Sequence, residues 1–377
     1  MKFNMYHRDF EQTDSQKKMS LIVKPTEACN FSCDFCSSTE LVEDKKERLE
    51  LKRIYEFLER FPETDRIFVV GGDPLMMSPK YYLELINHLE EHNYPALISM
   101  TTNLWDFYKK PEKWTAILAH PRVEVGTSFQ YGEGRKITKD LVFTEYMFRL
   151  VVKKFKKYIP HKELCFLAVV NKENEHLAID HVYLAKDMGM QCRLVYANKS
   201  GLSGEPYPLS KLYKIFIKIW KLGLVEYEQT TLSIIDKLVG VEVACPLSRN
   251  CDHWMRSLNP DGRYFTCGPL NDDLDPENEI DFDKEVIKGE KFHLPMQMNP
   301  KNQYLKQECF GCEMFQVCNG CRKHIKDLKD SNMVEEHCTN MKSIIGELKE
   351  MSNDEDLLIM QKEIDHLSRE NEKVTYQ

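Results

Sequence analysis

The chain contains no run of about 18 apolar residues, so a membrane-spanning helix is not expected. The opening stretch Met1–Ser20 is polar and charged and lacks the apolar core of a secretory signal, so the expected location is cytoplasmic, in a reducing environment. Positive charge is not in excess: 52 Lys and Arg stand against 60 Asp and Glu, a formal net charge of −8, with both signs mixed along the chain. A general nucleic-acid binder would carry a basic patch or stripe. That class is set aside, while a cationic peptide or a small molecule stays compatible as a substrate. There is no internal repeat. Hydrophobic residues make up 42% of the 377, ordinary for a globular protein and enough for one large α/β domain with a smaller one. Cysteine is what the chain has in quantity, 13 in all. In a reducing compartment these read as metal ligands or reactive thiols rather than disulfides.

Short β-rich runs alternate with amphipathic stretches over the first two thirds. Ser20–Lys24, Arg66–Val70, Ala96–Thr101, Val123–Phe129, Leu164–Val170 and Gln191–Tyr196 read as strands. Helical periodicity lies near Lys46–Arg60, Pro79–His92, Pro111–Leu118, Phe143–Tyr158, Asn174–Met188 and Ser210–Leu222. Such alternation implies a parallel sheet with helical crossovers. Six strands point to an α/β fold with an open, partial (β/α)6 TIM-type barrel, whose reactive residues gather in the loops at the C-terminal strand ends. The expected organisation is an N-terminal segment over residues 1–19, the barrel over 20–236, a cysteine-rich domain over 237–340 and a charged tail over 341–377. Turn dipeptides Asp261-Gly262 and Asn319-Gly320 punctuate the third of these. The tail carries apolar residues such as Ile344, Leu348, Met351 and Leu357 at roughly helical spacing, and reads as a surface helix or a flexible end.

Cys29, Cys33 and Cys36 occur in the stretch ACNFSCDFCSS just after the first expected strand, spaced C-x3-C-x2-C. Three thiolates hold three irons of a [4Fe–4S] cube and leave the fourth open, whereas structural zinc prefers four closed ligands. Three ligands and an open position suit catalysis. A zinc site that borrows a distant fourth ligand is the alternative.

This motif, with aromatic Phe35 before its last cysteine, resembles the signature of the radical S-adenosylmethionine (SAM) superfamily. The resemblance implies that the open iron chelates SAM and that reductive cleavage gives methionine and a 5′-deoxyadenosyl radical, the cofactor carrying the hard chemistry. It also implies roles for further residues. Gly71, Gly72, Asp73 and Pro74 resemble the family's GGE segment, which binds the SAM amino group, with Asp73 in place of the usual Glu. Thr102 and Asn103 match the ribose-contacting position. Ser128 falls near the SAM carboxylate, with Arg135 as its cation. Val169, Val170 and Asn171 resemble the strand that lines the adenine.

Eight cysteines follow in the last third: Cys245, Cys251, Cys267, Cys309, Cys312, Cys318, Cys321 and Cys338. Eight thiolates would fully ligate two [4Fe–4S] clusters. The pattern resembles the SPASM extension of radical SAM enzymes. That resemblance implies a first auxiliary cluster on Cys245, Cys251, Cys267 and Cys321, and a second on Cys309, Cys312, Cys318 and Cys338. The family has three residues between the positions matched by Cys318 and Cys321, where this chain has only Asn319 and Gly320, so Cys321 is the ligand in question. CFGC and CNGC would equally serve as halves of a zinc knuckle. Cys165 and Cys192 fall in expected strands and read as buried small hydrophobes.

By resemblance, the auxiliary clusters would take an electron while a peptide or protein side chain is oxidised or crosslinked. The electron donor would be of flavodoxin or ferredoxin type. The layout is similar to that of the anaerobic sulfatase-maturating enzymes and the ribosomal-peptide maturases. The former carry an Asp after the third cysteine of the first auxiliary set, where this chain has Gly268 and Pro269. Candidate groups to deprotonate a substrate are therefore Asp272, Asp273 and Tyr131. The 28 residues before Cys29 are too few for a peptide-recognition domain, so a leader peptide would need a separate recognition protein, the barrel mouth or the C-terminal tail. Oxidation of a small molecule, such as a sugar alcohol or antibiotic precursor, is the alternative enzyme reading. A zinc-stapled, non-enzymatic binding protein is the third.

Overall fold

The structure is a computed structural model that describes residues 19–38, 47–238, 254–274, 279–282, 312, 314–318, 321–355 and 357. Its strands are β1 (Ser20–Val23), β2 (Arg66–Val69), β3 (Leu97–Thr101), β4 (Val123–Ser128), β5 (Lys136–Thr138), β6 (Leu141–Val142), β7 (Cys165–Val170), β8 (Cys192–Tyr196), β9 (Met255–Leu258), β10 (Tyr264–Phe265) and β11 (Glu279–Ile280). Six of them, β1, β2, β3, β4, β7 and β8, lie side by side in chain order, and every pair is parallel. This is the partial barrel expected from the alternation of strands and helices. β5 and β6 form a separate antiparallel hairpin in the connection after β4.

Helices Leu51–Arg60, Pro79–Glu91, Pro111–Leu118, Glu145–Tyr158 and Ala178–Asp187 make the crossovers. Their starts are chemically marked. Ser78 accepts a hydrogen bond from Tyr81 N with Pro79 at the first position, and Thr144 accepts one from Met147 N. Each helix buries one stripe, for example Phe148, Val151, Val152 and Phe155. The strands answer with a period of two. On β7, Phe166, Ala168 and Val170 are buried, and Phe166 packs edge-on against Phe148 of the crossover helix. Cys165, Leu167 and Val169 face the opposite, concave side and are half-buried.

The C-terminal region joins this sheet. β9 pairs in parallel with β1, from Ser20↔Met255 to Val23↔Leu258, and β10 and β11 add antiparallel. The turn between β9 and β10 runs through Asp261 and Gly262. An uncovered outer edge of β1 would expose its N–H and C=O groups, and the hairpin supplies their partners. Helices Val334–Ser343 and Ile345–Met351 pack on helix Leu209–Lys221. The apolar residues Ile344, Leu348, Met351 and Leu357, noted at helical spacing, are buried in that contact region. Trp220 Nε1 donates to Asp354 Oδ2 at 2.7 Å and Lys221 pairs with Glu347 at 2.6 Å, so the described part of the charged tail is docked. Among the described residues no helix is long and apolar enough to cross a membrane.

Candidate functional site at the C-terminal strand ends

The cysteine loop leaves β1 at the C-terminal edge of the sheet, as the barrel topology requires. Its backbone is tied on several sides. Ser32 N donates to Lys136 O at 2.8 Å and Asp34 N to Gly134 O at 2.9 Å, with Asp34 also paired to Lys136 at 2.6 Å. Gly72 N donates to Thr26 O and Asp73 N to Ala28 O, each at 2.9 Å. Gly71 has φ +109°, and a Cβ at Gly72 would lie 2.2 Å from Ala28 O. Only glycine lets the two loops approach this closely.

Arg135 is buried beside the cysteines. Its Nη1 donates to Ser128 Oγ at 3.0 Å, its guanidinium lies 5.5 Å from the centre of the Phe35 ring, and its Nε has no hydrogen-bond partner among the described residues. Burial lowers the Arg135 pKa, while Cys33, Cys29, Cys36 and Asp73 act in the opposite direction, which places all four acidic groups within its field. Cys29 keeps an open surface, yet the protein behind it desolvates the thiol. That desolvation, with Asp73 adding, pushes the pKa up to about 12. Burial likewise raises that of Cys36. Iron binding would displace these protons, since metal ligation deprotonates a thiol outright.

Asp73 is buried and its carboxylate is filled by the protein's own donors. Thr102 Oγ1 donates at 3.0 Å, Asn103 N at 2.8 Å and Leu75 N at 2.9 Å. Desolvation nonetheless pushes its pKa up to about 6. Asn103 Nδ2 donates to Asn30 Oδ1 at 2.6 Å and lies 3.9 Å from Cys29 Sγ. Pro74 opens a short helical turn, Pro74–Met76, whose first carbonyl accepts from Tyr82 OH at 2.8 Å. Gly71, Gly72, Asp73, Thr102, Asn103, Ser128 and Arg135 thus surround the cysteine loop, to which Phe35 itself belongs. Val170 needs a correction. It is fully buried on the helix side of β7, and the period of two puts Val169 on the concave face instead.

The three acid–base candidates are all engaged. Tyr131 OH donates to Glu145 Oε2 at 2.8 Å, and burial with that carboxylate raises its pKa. Asp272 is ion-paired to Lys24 and accepts from Ser37 Oγ at 3.1 Å and Ser38 Oγ at 2.8 Å. Asp273 accepts from Ser200 Oγ at 2.7 Å and pairs with Lys323 at 2.9 Å. A Cβ at Gly268 would lie 3.2 Å from Ile22 Cδ1, the movable end of that side chain.

Of the later cysteines, Cys245, Cys251 and Cys309 lie outside the described residues. Cys267, Cys312, Cys318, Cys321 and Cys338 are half-buried. Cys192 is buried, while Cys165 is half-buried at the concave face beside Gly126. Among the described residues no group of three Cys, His, Asp or Glu side chains gathers in a way that could hold a metal ion. The donor set of the first loop still fits an iron–sulfur cluster. It offers three soft thiols on one loop and a buried cation among them with an unsatisfied N–H.

Sequence reasoning missed Lys24, Ser200, Gly201 and Lys323. A lysine ending the apolar run Ser20–Val23, and a Ser-Gly pair following the last barrel strand, were the available signals.

Residues 23–182 match the radical SAM superfamily, and the chain carries a radical SAM domain. No curated protein gives a significant match. Among solved structures, a histidine-tagged anSMEcpe with bound AdoMet is similar over 92% of this chain and 98% of its own, at 18% identity and TM-score 0.69. Native anSMEcpe with bound AdoMet and Kp18Cys peptide is similar over 89% and 99%, at 17% identity and TM-score 0.65. Streptococcus suis SuiB bound to precursor peptide SuiA is similar over 81% and 72%, at 15% identity and TM-score 0.54. At these identities the likeness is one of fold.

Proposed function

We propose that this chain, which carries a radical SAM domain, oxidatively modifies a peptide or protein side chain by forming a crosslink, a thioether or an oxidised group. The observation that carries the reading is the loop of Cys29, Cys33 and Cys36 at the C-terminal edge of a six-stranded parallel barrel, with buried Arg135 set among the thiols. Cys29, Cys33 and Cys36 would hold a [4Fe–4S] cluster. When bound, that cluster supplies the electron that cleaves SAM and so yields the hydrogen-abstracting radical.

The chain's own residues do the rest. Arg135, oriented by Ser128, offers to a carboxylate its charge and an Nε–H that has no partner among the described residues. The Gly71–Gly72 turn brings backbone close to the cysteine loop, and Asn103 sits beside Cys29. Thr102 and Asn103 hold Asp73 rigid, which pre-organises this wall of the site. Val169 lies on the concave face of β7, where an adenine would lie. Cys245, Cys251, Cys267, Cys309, Cys312, Cys318, Cys321 and Cys338 would ligate two auxiliary [4Fe–4S] clusters that accept electrons. A peptide substrate, a separate recognition protein, a flavodoxin- or ferredoxin-type donor and a cytoplasmic setting belong to the same reading.

The test is intact mass of the small peptide encoded nearest this gene after anaerobic co-expression with the enzyme. Loss of two hydrogens per event, absent with Cys29→Ala, is the expected result. An unchanged mass with no solvent deuterium uptake would turn the assignment toward a small-molecule substrate.

A further inference from the structure

Helix Gly268–Asp272 follows Cys267 directly, and helix Arg322–Asp330 follows Cys321 directly. Both reach the cysteine loop through one network of side chains. Lys24, at the end of β1, is buried with its amine on Gly268 O at 3.2 Å and on Asp272. The side chains of this ion pair are 2% and 8% exposed. Asp272 spends both oxygens on the exit of the cysteine loop: Oδ2 accepts from Ser37 at 3.1 Å and Oδ1 from Ser38 at 2.8 Å. The next residue reaches the other way. Asp273 Oδ1 accepts from Ser200, and its Oδ2 lies 2.9 Å from Lys323 Nζ. Lys323 in turn pairs with Asp327 at 2.5 Å and donates to Lys199 O at 2.9 Å, while Lys199 N donates to Asp327 Oδ2 at 2.9 Å.

The loop that carries Ser200 also presses on the triad. Leu202 N donates to Cys36 O at 2.9 Å, and Gly201, at φ +54°, sits so close that a Cβ would lie 2.7 Å from both Cys36 O and Ser37 O. Cys36 is therefore fixed from two directions, and both fixings end on adjacent carboxylates.

We infer that Asp272 and Asp273 are positioning residues: they lock the exit of the cysteine loop and the Ser200 loop to the segments that begin at Cys267 and Cys321. This rests on reading the triad as a cluster site. A general base needs a lone pair facing a substrate proton. Here both oxygens of Asp272 accept from Ser37 and Ser38 beside the Lys24 ion pair, and Asp273 has Oδ1 on Ser200 and Oδ2 in charge contact with Lys323, at side-chain exposures of 8% and 14%. Partners that orient metal ligands typically change affinity or activity by about 10- to 100-fold when removed.

The experiment compares reconstituted holoenzyme of wild type, Asp272→Ala, Asp272→Asn and the Ser37→Ala/Ser38→Ala double variant. For each, the iron content, the low-temperature EPR spectrum of the reduced protein with and without SAM, the KM for SAM and the release of 5′-deoxyadenosine are measured. The inference predicts that Asp272→Ala retains iron but shows a broadened or lost SAM-induced EPR shift. Its KM for SAM should rise about tenfold. Asp272→Asn, which keeps an acceptor oxygen, recovers part of both. The double serine variant removes the loop contacts without leaving a buried lysine unpaired, and moves both readouts in the same direction even where Asp272→Ala fails to fold. An unchanged EPR shift and KM in the serine variant would overturn the inference. So would an Asp272→Ala enzyme that cleaves SAM normally and fails only to form product, because that is the signature of a base. Failure of the cluster reading itself is distinct, since wild type would then show no SAM-dependent EPR shift.

Discussion

The described residues of the barrel, within 19–238, and those of the C-terminal region, within 254–357, hold the same loop by different means. On the barrel side the contacts are mainly backbone hydrogen bonds, from Ser32, Asp34, Gly72 and Leu202, joined by the Asp34–Lys136 ion pair and the Asn103–Asn30 hydrogen bond. The backbone contacts depend on strand register and on glycines and are largely indifferent to side-chain identity elsewhere. From the C-terminal region the loop is reached by side-chain ion pairs and hydroxyl bonds that run through Lys24, Asp272, Asp273 and Lys323. Backbone contacts come with the fold. Buried ion pairs must be matched residue by residue, because removing one partner strands the other charge. The junction between the two regions should therefore be the place where single substitutions cost most.

The largest stability effect is expected there. Lys24→Met leaves Asp272 buried without its cation and should cost about 3–5 kcal/mol, read as a fall in the melting temperature of the anaerobic holoprotein. The Lys24→Met/Asp272→Leu pair should recover much of that loss. If Lys24→Met melts like wild type, the contrast between the two regions fails.

Acid sharpens the same contrast from the barrel side. His181 is buried, accepts from Tyr131 N at 2.8 Å through Nε2, and has its pKa lowered to about 4 by desolvation. A histidine in the unfolded chain titrates near 6.5, so between the two values the unfolded state binds the extra proton. Stability is full above about pH 6.5 and declines toward pH 4, by about 3 kcal/mol from this residue. A His181→Gln protein, which has no proton to gain, should show a shallower loss over that range in pH-dependent melts.

A third effect tests the backbone contacts. Gly72→Ala drives a methyl into Ala28 O and Glu27 O and must separate the two loops. SAM affinity should fall about tenfold or more, measured by equilibrium binding to the reconstituted protein. The smallest effect is Tyr131→Phe. It deletes the hydrogen bond to Glu145, worth about 1 kcal/mol, and should leave turnover nearly intact. Complete loss of product with SAM cleavage preserved would instead make Tyr131 the substrate base.

How much of this was legible in the sequence follows the same divide. The six barrel strands could be read to within a residue or so because apolar alternation and helical stripes repeat with fixed periods. The cysteine loop could be placed because β1 ends where the reactive edge of such a barrel must lie. Val170 shows the limit. A resemblance places a segment, but which of two neighbours faces the concave side depends on register, and only the packing of Phe166 on Phe148 decides it. The C-terminal region was legible as cysteine spacing, the Asp261-Gly262 turn and the helical spacing of Ile344, Leu348, Met351 and Leu357. Its strands β9, β10 and β11 are too short to show a period, and β9 is defined by pairing with β1, at the far end of the sequence. The roles of Lys24 and Asp272 depend on contacts 248 residues apart in sequence, which no local pattern carries.

The central claim is that Cys29, Cys33 and Cys36 hold the cluster that cleaves SAM. Its most direct test is anaerobic incubation of reconstituted enzyme with SAM and a strong reductant, followed by quantification of 5′-deoxyadenosine. Formation by wild type and none by Cys29→Ala is the expected result. A wild-type enzyme loaded with iron that forms no 5′-deoxyadenosine, or a Cys29→Ala enzyme that forms it at the normal rate, would contradict the account.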